Sequence, residues 1–146
     1  MLIDAHLHLW DTGRLRYEWL QRPGNAAINR TFGFEDFRVR AEAARVDRAV
    51  LVQADDSAAD TEAMFEVAAA HPEIVGVVAW VPLDRPDEAA ARLDELHKRP
   101  GFAGIRNLIH DQPTRTGCSA RMWGKGWRCS SAAASRSTSS PCCQGT

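Results

Sequence analysis

Two histidines separated by one residue, His6 and His8, lie near the start of the chain in the run Ile3-Asp4-Ala5-His6-Leu7-His8-Leu9-Trp10-Asp11. In an extended strand alternate side chains share a face, so the two imidazoles project together, about 7 Å apart along the backbone. Neutral imidazoles converging in this way can hold a divalent ion, which can polarise a carbonyl or activate water. A His-x-His tripeptide alone serves as readily as a surface or packing pair. The metal reading therefore depends on where the strand sits and on its flanks, here Asp4 on one side and Trp10-Asp11 on the other.

The pattern that follows supplies the setting. Apolar runs over Ile3–Leu9, Ala49–Gln53, Ile74–Val81 and Phe102–Ile109 predict four strands. The second is continuous, as expected of a strand covered on both faces. Helical spacing lies between them: Phe37, Ala41 and Ala44 within Glu35–Ala44, then Met64, Phe65, Ala68 and Ala69 within Asp60–Ala70, then Ala89, Leu93 and Leu96 within Pro86–Lys98. Such stripes face a core rather than a cofactor. Pro86 suits a first helical turn, while Pro82 and Pro100 punctuate the units. Strand and helix alternating at roughly 25–30 residues per unit call for a parallel sheet. No Gly-x-Gly-x-x-Gly follows the first strand, which disfavours the dinucleotide-binding version. The expected class is α/β, with the four units either part of a doubly wound sheet or half of an eight-stranded barrel, whose complete form takes ~250 residues. The C-terminal end of its first strand would point into the barrel mouth, where active sites are built.

The whole chain has 146 residues, with 18 basic against 19 acidic side chains. That balance excludes a strongly basic nucleic-acid binder and a highly acidic disordered chain. No apolar stretch approaches the ~18–20 residues of a membrane helix. Asp4 comes at once and no small-residue cleavage pattern follows, so the expected location is cytoplasmic, with neither nucleic acid nor membrane as partner.

Taken in order, these residues resemble the amidohydrolase-related ("amidohydrolase family 2") metal-dependent hydrolases, in the branch of sugar-acid lactonases such as fuconolactonase and rhamnonolactonase. The resemblance covers residues 1–112. It rests on Asp-Ala-His-x-His-x-Trp-Asp, Tyr17-Glu18-Trp19-Leu20, Val46-Asp47-Arg48 leading into Val50-Leu51-Val52-Gln53-Ala54, Gly76-Val77-Val78-Ala79-Trp80-Val81, and Gly104-Ile105-Arg106. It implies that the chain is the N-terminal half (about four βα units) of a TIM (β/α)8 barrel with a catalytic divalent ion, zinc or manganese, that opens a small lactone or related ester or amide with water. Under it, His6 and His8 match metal ligands. Arg106 matches a substrate-contacting arginine, suited to a carboxylate or lactone carbonyl. A salt bridge across the barrel mouth is the alternative for Arg106. Gln53 is either a substrate contact or a plain strand-end polar residue. The resemblance also implies a later histidine and an aspartate base on the last strand. Asp111 does not match that base, and His110 is either a substitute ligand or a loop histidine. His71 and His97 are expected to cap helix carbonyls or to meet solvent.

The composition breaks near Gln112. Residues 1–111 hold 13 basic and all 19 acidic side chains, whereas residues 112–146 hold five basic residues, all four cysteines, and no Leu, Ile, Val, Phe, His or acid. Residues 1–112 are thus read as a partial amidohydrolase-type barrel and 113–146 as a Ser/Arg/Cys-rich tail, disordered because nothing offsets its ordering entropy. A zinc module is disfavoured, because paired C-x₂₋₄-C spacing is lacking. One choice of GC-rich synonymous codons, read from the third base of the Pro113 codon, gives an amphipathic helix, a turn and a β-type run, so the tail is expected to be out of frame, with a natural disordered basic tail as the alternative. The chain as printed is therefore expected to show little or no catalysis. The other class of reading is a non-enzymatic fragment that binds metal loosely or self-associates through open sheet edges.

Overall fold

The computed structural model describes residues 1–108. The expectations for His110, Asp111 and the 113–146 tail lie outside the described residues. Four strands, β1 (Ile3–Leu7), β2 (Arg48–Val52), β3 (Ile74–Ala79) and β4 (Phe102–Ile105), form one sheet in the order β1-β2-β3-β4. Every neighbouring pair is parallel, with Asp4 opposite Ala49, Leu51 opposite Val77, and Ala79 opposite Ile105. Three helices, α1 (Phe34–Ala44), α2 (Ala58–Ala70) and α3 (Pro86–Leu96), connect them. The expected βα series is present.

Each helix starts where its local chemistry dictates. The Asp36 carboxylate accepts from the Gly33 N–H at 3.1 Å at the start of α1. Ser57 caps α2 by accepting from the Asp60 N–H at 3.1 Å. Pro86 occupies the first turn of α3, where its missing N–H removes nothing from the helix. Arg45, in the left-handed region at φ 57°, ends α1. The Nδ1 of His97 lies 2.7 Å from the Leu93 carbonyl, the cap expected of it. His71 is the C-cap of α2, its backbone N–H donating to the Val67 carbonyl at 3.0 Å, and its ring stacks on Phe34 at 3.6 Å.

The core lies between helices and sheet. Ala49, Leu51, Val77, Ala79 and Leu96 have no exposed surface, and Phe37, Ala41, Met64, Phe65 and Ala89 pack over them. Ala44 and Ala69, expected in the buried stripes, are exposed near the ends of their helices. Strands one, three and four stop short of the apolar runs that suggested them, at Leu7, Ala79 and Ile105. The residues beyond turn into the rim at the C-terminal ends of the strands.

Candidate active site

His6 belongs to β1 and His8 lies just past its end, so the alternation that makes a strand sets both rings toward one point. Their Nε2 atoms are 3.0 Å apart, with ring planes at 75°. The Nδ1 of His8 lies 2.8 Å from the carbonyl oxygen of Val52 at the end of β2. A carbonyl only accepts, so Nδ1 carries the proton and the lone pair of His8 is on Nε2. Burial pushes the His8 pKa down, aided by the nearby His6 and Arg106, and keeps this ring neutral. A neutral imidazole with its second nitrogen anchored to a backbone oxygen is the form that ligates a cation.

The end of β4 brings Arg106 to the same rim. Its Nη1 donates to the Gln53 carbonyl at 3.0 Å and to Gln53 Oε1 at 3.2 Å. Gln53 Nε2 donates in turn to Asp56 Oδ1 at 2.7 Å and to the Arg106 carbonyl at 3.3 Å. Asp56 also accepts from the Leu108 N–H, at 3.0 and 3.1 Å. Gln53 has no exposed surface, and both of its amide protons are engaged. In this arrangement it holds Arg106 from beneath, as a buried polar residue at the strand end. Burial raises the Asp56 pKa, with the Leu108 N–H and Gln53 opposing that shift.

A cavity of about 140 Å³ opens among His8, Trp10, Trp19, Ala54, Arg106 and Leu108. Its aromatic wall comes from the long segment between β1 and α1. Trp10 pairs with Phe32 through backbone hydrogen bonds of 3.1 and 2.9 Å and donates its indole N–H to the Arg30 carbonyl at 2.7 Å. Trp19 meets Trp10 edge-on at 5.3 Å. The segment is fastened underneath by Tyr17, whose hydroxyl donates to Asp60 Oδ1 at 3.0 Å, both residues being buried. Asp60 Oδ2 also accepts from the N–H groups of Ala54 and Asp55, at 2.8 and 3.2 Å. Burial raises the pKa of Asp60, and it does the same to Tyr17 beside that carboxylate.

Asp11 serves this loop rather than the site, with Oδ1 accepting from the Gly13 N–H and the Thr31 hydroxyl at 2.9 and 3.1 Å. Asp4 Oδ1 accepts from the His6 N–H at 3.0 Å. Among the described residues no group of three His, Cys, Asp or Glu side chains gathers as a metal site, so His6 and His8 stand as a pair of donors. Trp19, Tyr17, Asp56 and Asp60 carry no functional signal by spacing. Only the run Tyr17-Glu18-Trp19-Leu20 hinted at one.

The amidohydrolase family profile matches residues 3–135. An L-fucono-1,5-lactonase from Burkholderia ambifaria is 34% identical over 109 residues, covering 75% of this chain and 37% of that protein. A Burkholderia multivorans amidohydrolase solved with bound zinc superposes with a TM-score of 0.73 at 25% identity, covering 86% of this chain and 44% of the other. A probable 2-pyrone-4,6-dicarboxylic acid hydrolase from Acinetobacter baumannii, solved with citric acid, shares the fold at a TM-score of 0.63 and 19% identity, with 90% and 46% covered. The chain thus spans less than half the length of these relatives.

Proposed function

The chain belongs to the amidohydrolase family, and on that premise we propose that His6 and His8 are two ligands of a divalent cation, zinc or manganese, in a hydrolytic site for a small lactone or related ester or amide. One observation supports the reading above all. The two Nε2 atoms stand 3.0 Å apart, with the other nitrogen of His8 held by Val52. The two nitrogens share a hydrogen bond at that separation, and a tetrahedral ion with ligands at roughly 2.0–2.1 Å would need them about 3.3 Å apart, a small opening of the pair. A cation bound there supplies Lewis acidity to a scissile carbonyl.

The chain's own residues then bind and orient. Arg106, fixed by Gln53 and Asp56, presents its remaining N–H groups to a carboxylate or carbonyl oxygen. Trp10 and Trp19 offer an apolar wall to the face of a small ring and keep water from that side of the cavity. The aspartate base and later histidine that the family pattern implies are not among the described residues, and from Gln112 onward the sequence has neither residue type. We therefore assign binding and orientation to residues 1–108 and little or no turnover to the chain as it stands. The substrate is a small acidic or hydroxylated molecule rather than nucleic acid or membrane, and the location is the cytoplasm. No helix among the described residues is long and apolar enough to cross a membrane.

Equilibrium dialysis against zinc and then manganese tests the site. The wild-type chain should retain the ion, and His6→Ala and His8→Ala should each release it. Equal retention by all three proteins would remove the metal assignment. A pH-indicator assay with L-fucono-1,5-lactone tests the second part, and turnover at ordinary enzymatic rates would overturn the assignment of little or no catalysis.

A further inference from the structure

Among the described residues, β1 and β4 are the two edges of the sheet, and neither has an outer neighbour. Among the described residues, the face turned away from the helices is partly open as well, although Val52 and Gly76 on it are buried. A Cβ placed on Gly76 would lie 3.2 Å from the Ala103 Cβ and 3.4 Å from Val50 Cγ1, so these three residues share that face. Ala103 and His6 are exposed and Val50 is half-buried, while Ala49 and Leu51, beside Val50 in β2 but turned to the helices, are sealed. Next to β1 runs an open groove of about 310 Å³ whose apolar lining includes Leu7, Leu9, Phe37, Ala41, Ala44 and Val46. The His6 N–H bonds to the Asp4 side chain rather than to β2. That amide is a ladder donor held in reserve.

An unpaired edge beside an apolar groove is a template for another strand. The residues after Gln112 contain no Leu, Ile, Val or Phe. A second copy of the chain offers such a strand: the open edge of its β4, running parallel. We propose that two copies close on each other about a twofold axis, β4 of each pairing with β1 of the other, into one eight-stranded barrel. Four strands from each copy give the strand number of the parallel barrel. Parallel pairing sets both sets of C-terminal strand ends at the same mouth. The partner bears on the site, because His6 lies on the exposed flank of β1 with His8 on one side, and the end of a second β4 would arrive on the other.

Light scattering on the full chain across a micromolar concentration range gives the test. The expected mass is twice that of the chain. Ala103→Lys sets a charge on the partly open face, which an isolated half tolerates and a closed interior does not. It should return the mass to that of one chain, with the far-UV circular dichroism unchanged. Hydrogen exchange on the wild type gives a reading independent of any variant: the Asp4 and His6 amides should exchange more slowly at high concentration than on dilution. A single-chain mass throughout, open assemblies larger than two, or a dimer indifferent to Ala103→Lys would each overturn the proposal.

Discussion

The two faces of the sheet are built from similar residues and meet different fates. Ala49, Leu51, Val77 and Ala79 on the helix side are fully sealed, while on the other side Ala103 is exposed, Val50 is half-buried and Val52 alone of the three is buried. Strand apolarity follows the environment a fold requires, and here both faces carry the signature of a buried parallel sheet. Burial follows what these residues supply, and they supply helices to one side only. The polar rim lies where the two faces meet at the strand ends. There His8, Gln53 and Arg106 are held by hydrogen bonds, with the core beneath them.

The contrast can be broken most forcefully from the sealed side. Leu51→Ala should cost about 2–5 kcal/mol by removing buried contacts and leaving a cavity, read as a lower urea midpoint at unchanged slope. The next largest effect is expected beneath the rim. Asp60→Ala strips the partner from the Tyr17 hydroxyl and from two backbone N–H groups. A loss of about 2–3 kcal/mol follows from orphaned buried donors, with the Trp10–Trp19 wall loosened as read by near-UV circular dichroism.

The same carboxylate sets a smaller, pH-dependent effect. The pKa of Asp60 is raised in the folded state, so folding favours its protonated form. Its contribution is full below the ordinary carboxylate value of 3.8 and is lost as pH rises through the elevated folded value. Urea midpoints for wild type should therefore fall more steeply over the mildly acid range than those of Asp60→Asn, and parallel curves would contradict this. Smallest of all, Ala103→Ser on the accessible face should stay within about 0.5 kcal/mol of wild type. A clear loss there would mean that the face is covered in solution and would sharpen the case for a paired barrel.

Much of this arrangement was legible in the residues. Period and punctuation located all four strands and three helices, and the His6–His8 alternation foretold converging rings. The strand ends were harder, because apolar residues such as Leu9 and Val81 continue past the ladder into the core and look no different from strand residues. The segment from Asp11 to Gly33 has no period at all. Its shape comes from single long-range bonds, Tyr17 to Asp60 and Trp10 to the Arg30 carbonyl, which no local pattern records. Gln53 shows a related limit. A polar residue at a strand end is recognisable from the sequence, yet its depth and its bond to Arg106, 53 positions on, are not; only its bond to Asp56 is local.

The clasp between Gln53 and Arg106 joins residues 53 positions apart and bridges β2 to β4 across the strand between them. It can lock only after three strands have found their register, so the cavity should mature late in refolding. Loosening at α3 or at the turn into β4 would reach the guanidinium before the rest of the molecule melts. Conversely, a bound anion gripping Arg106 would act as a brake on the unravelling of the last strand.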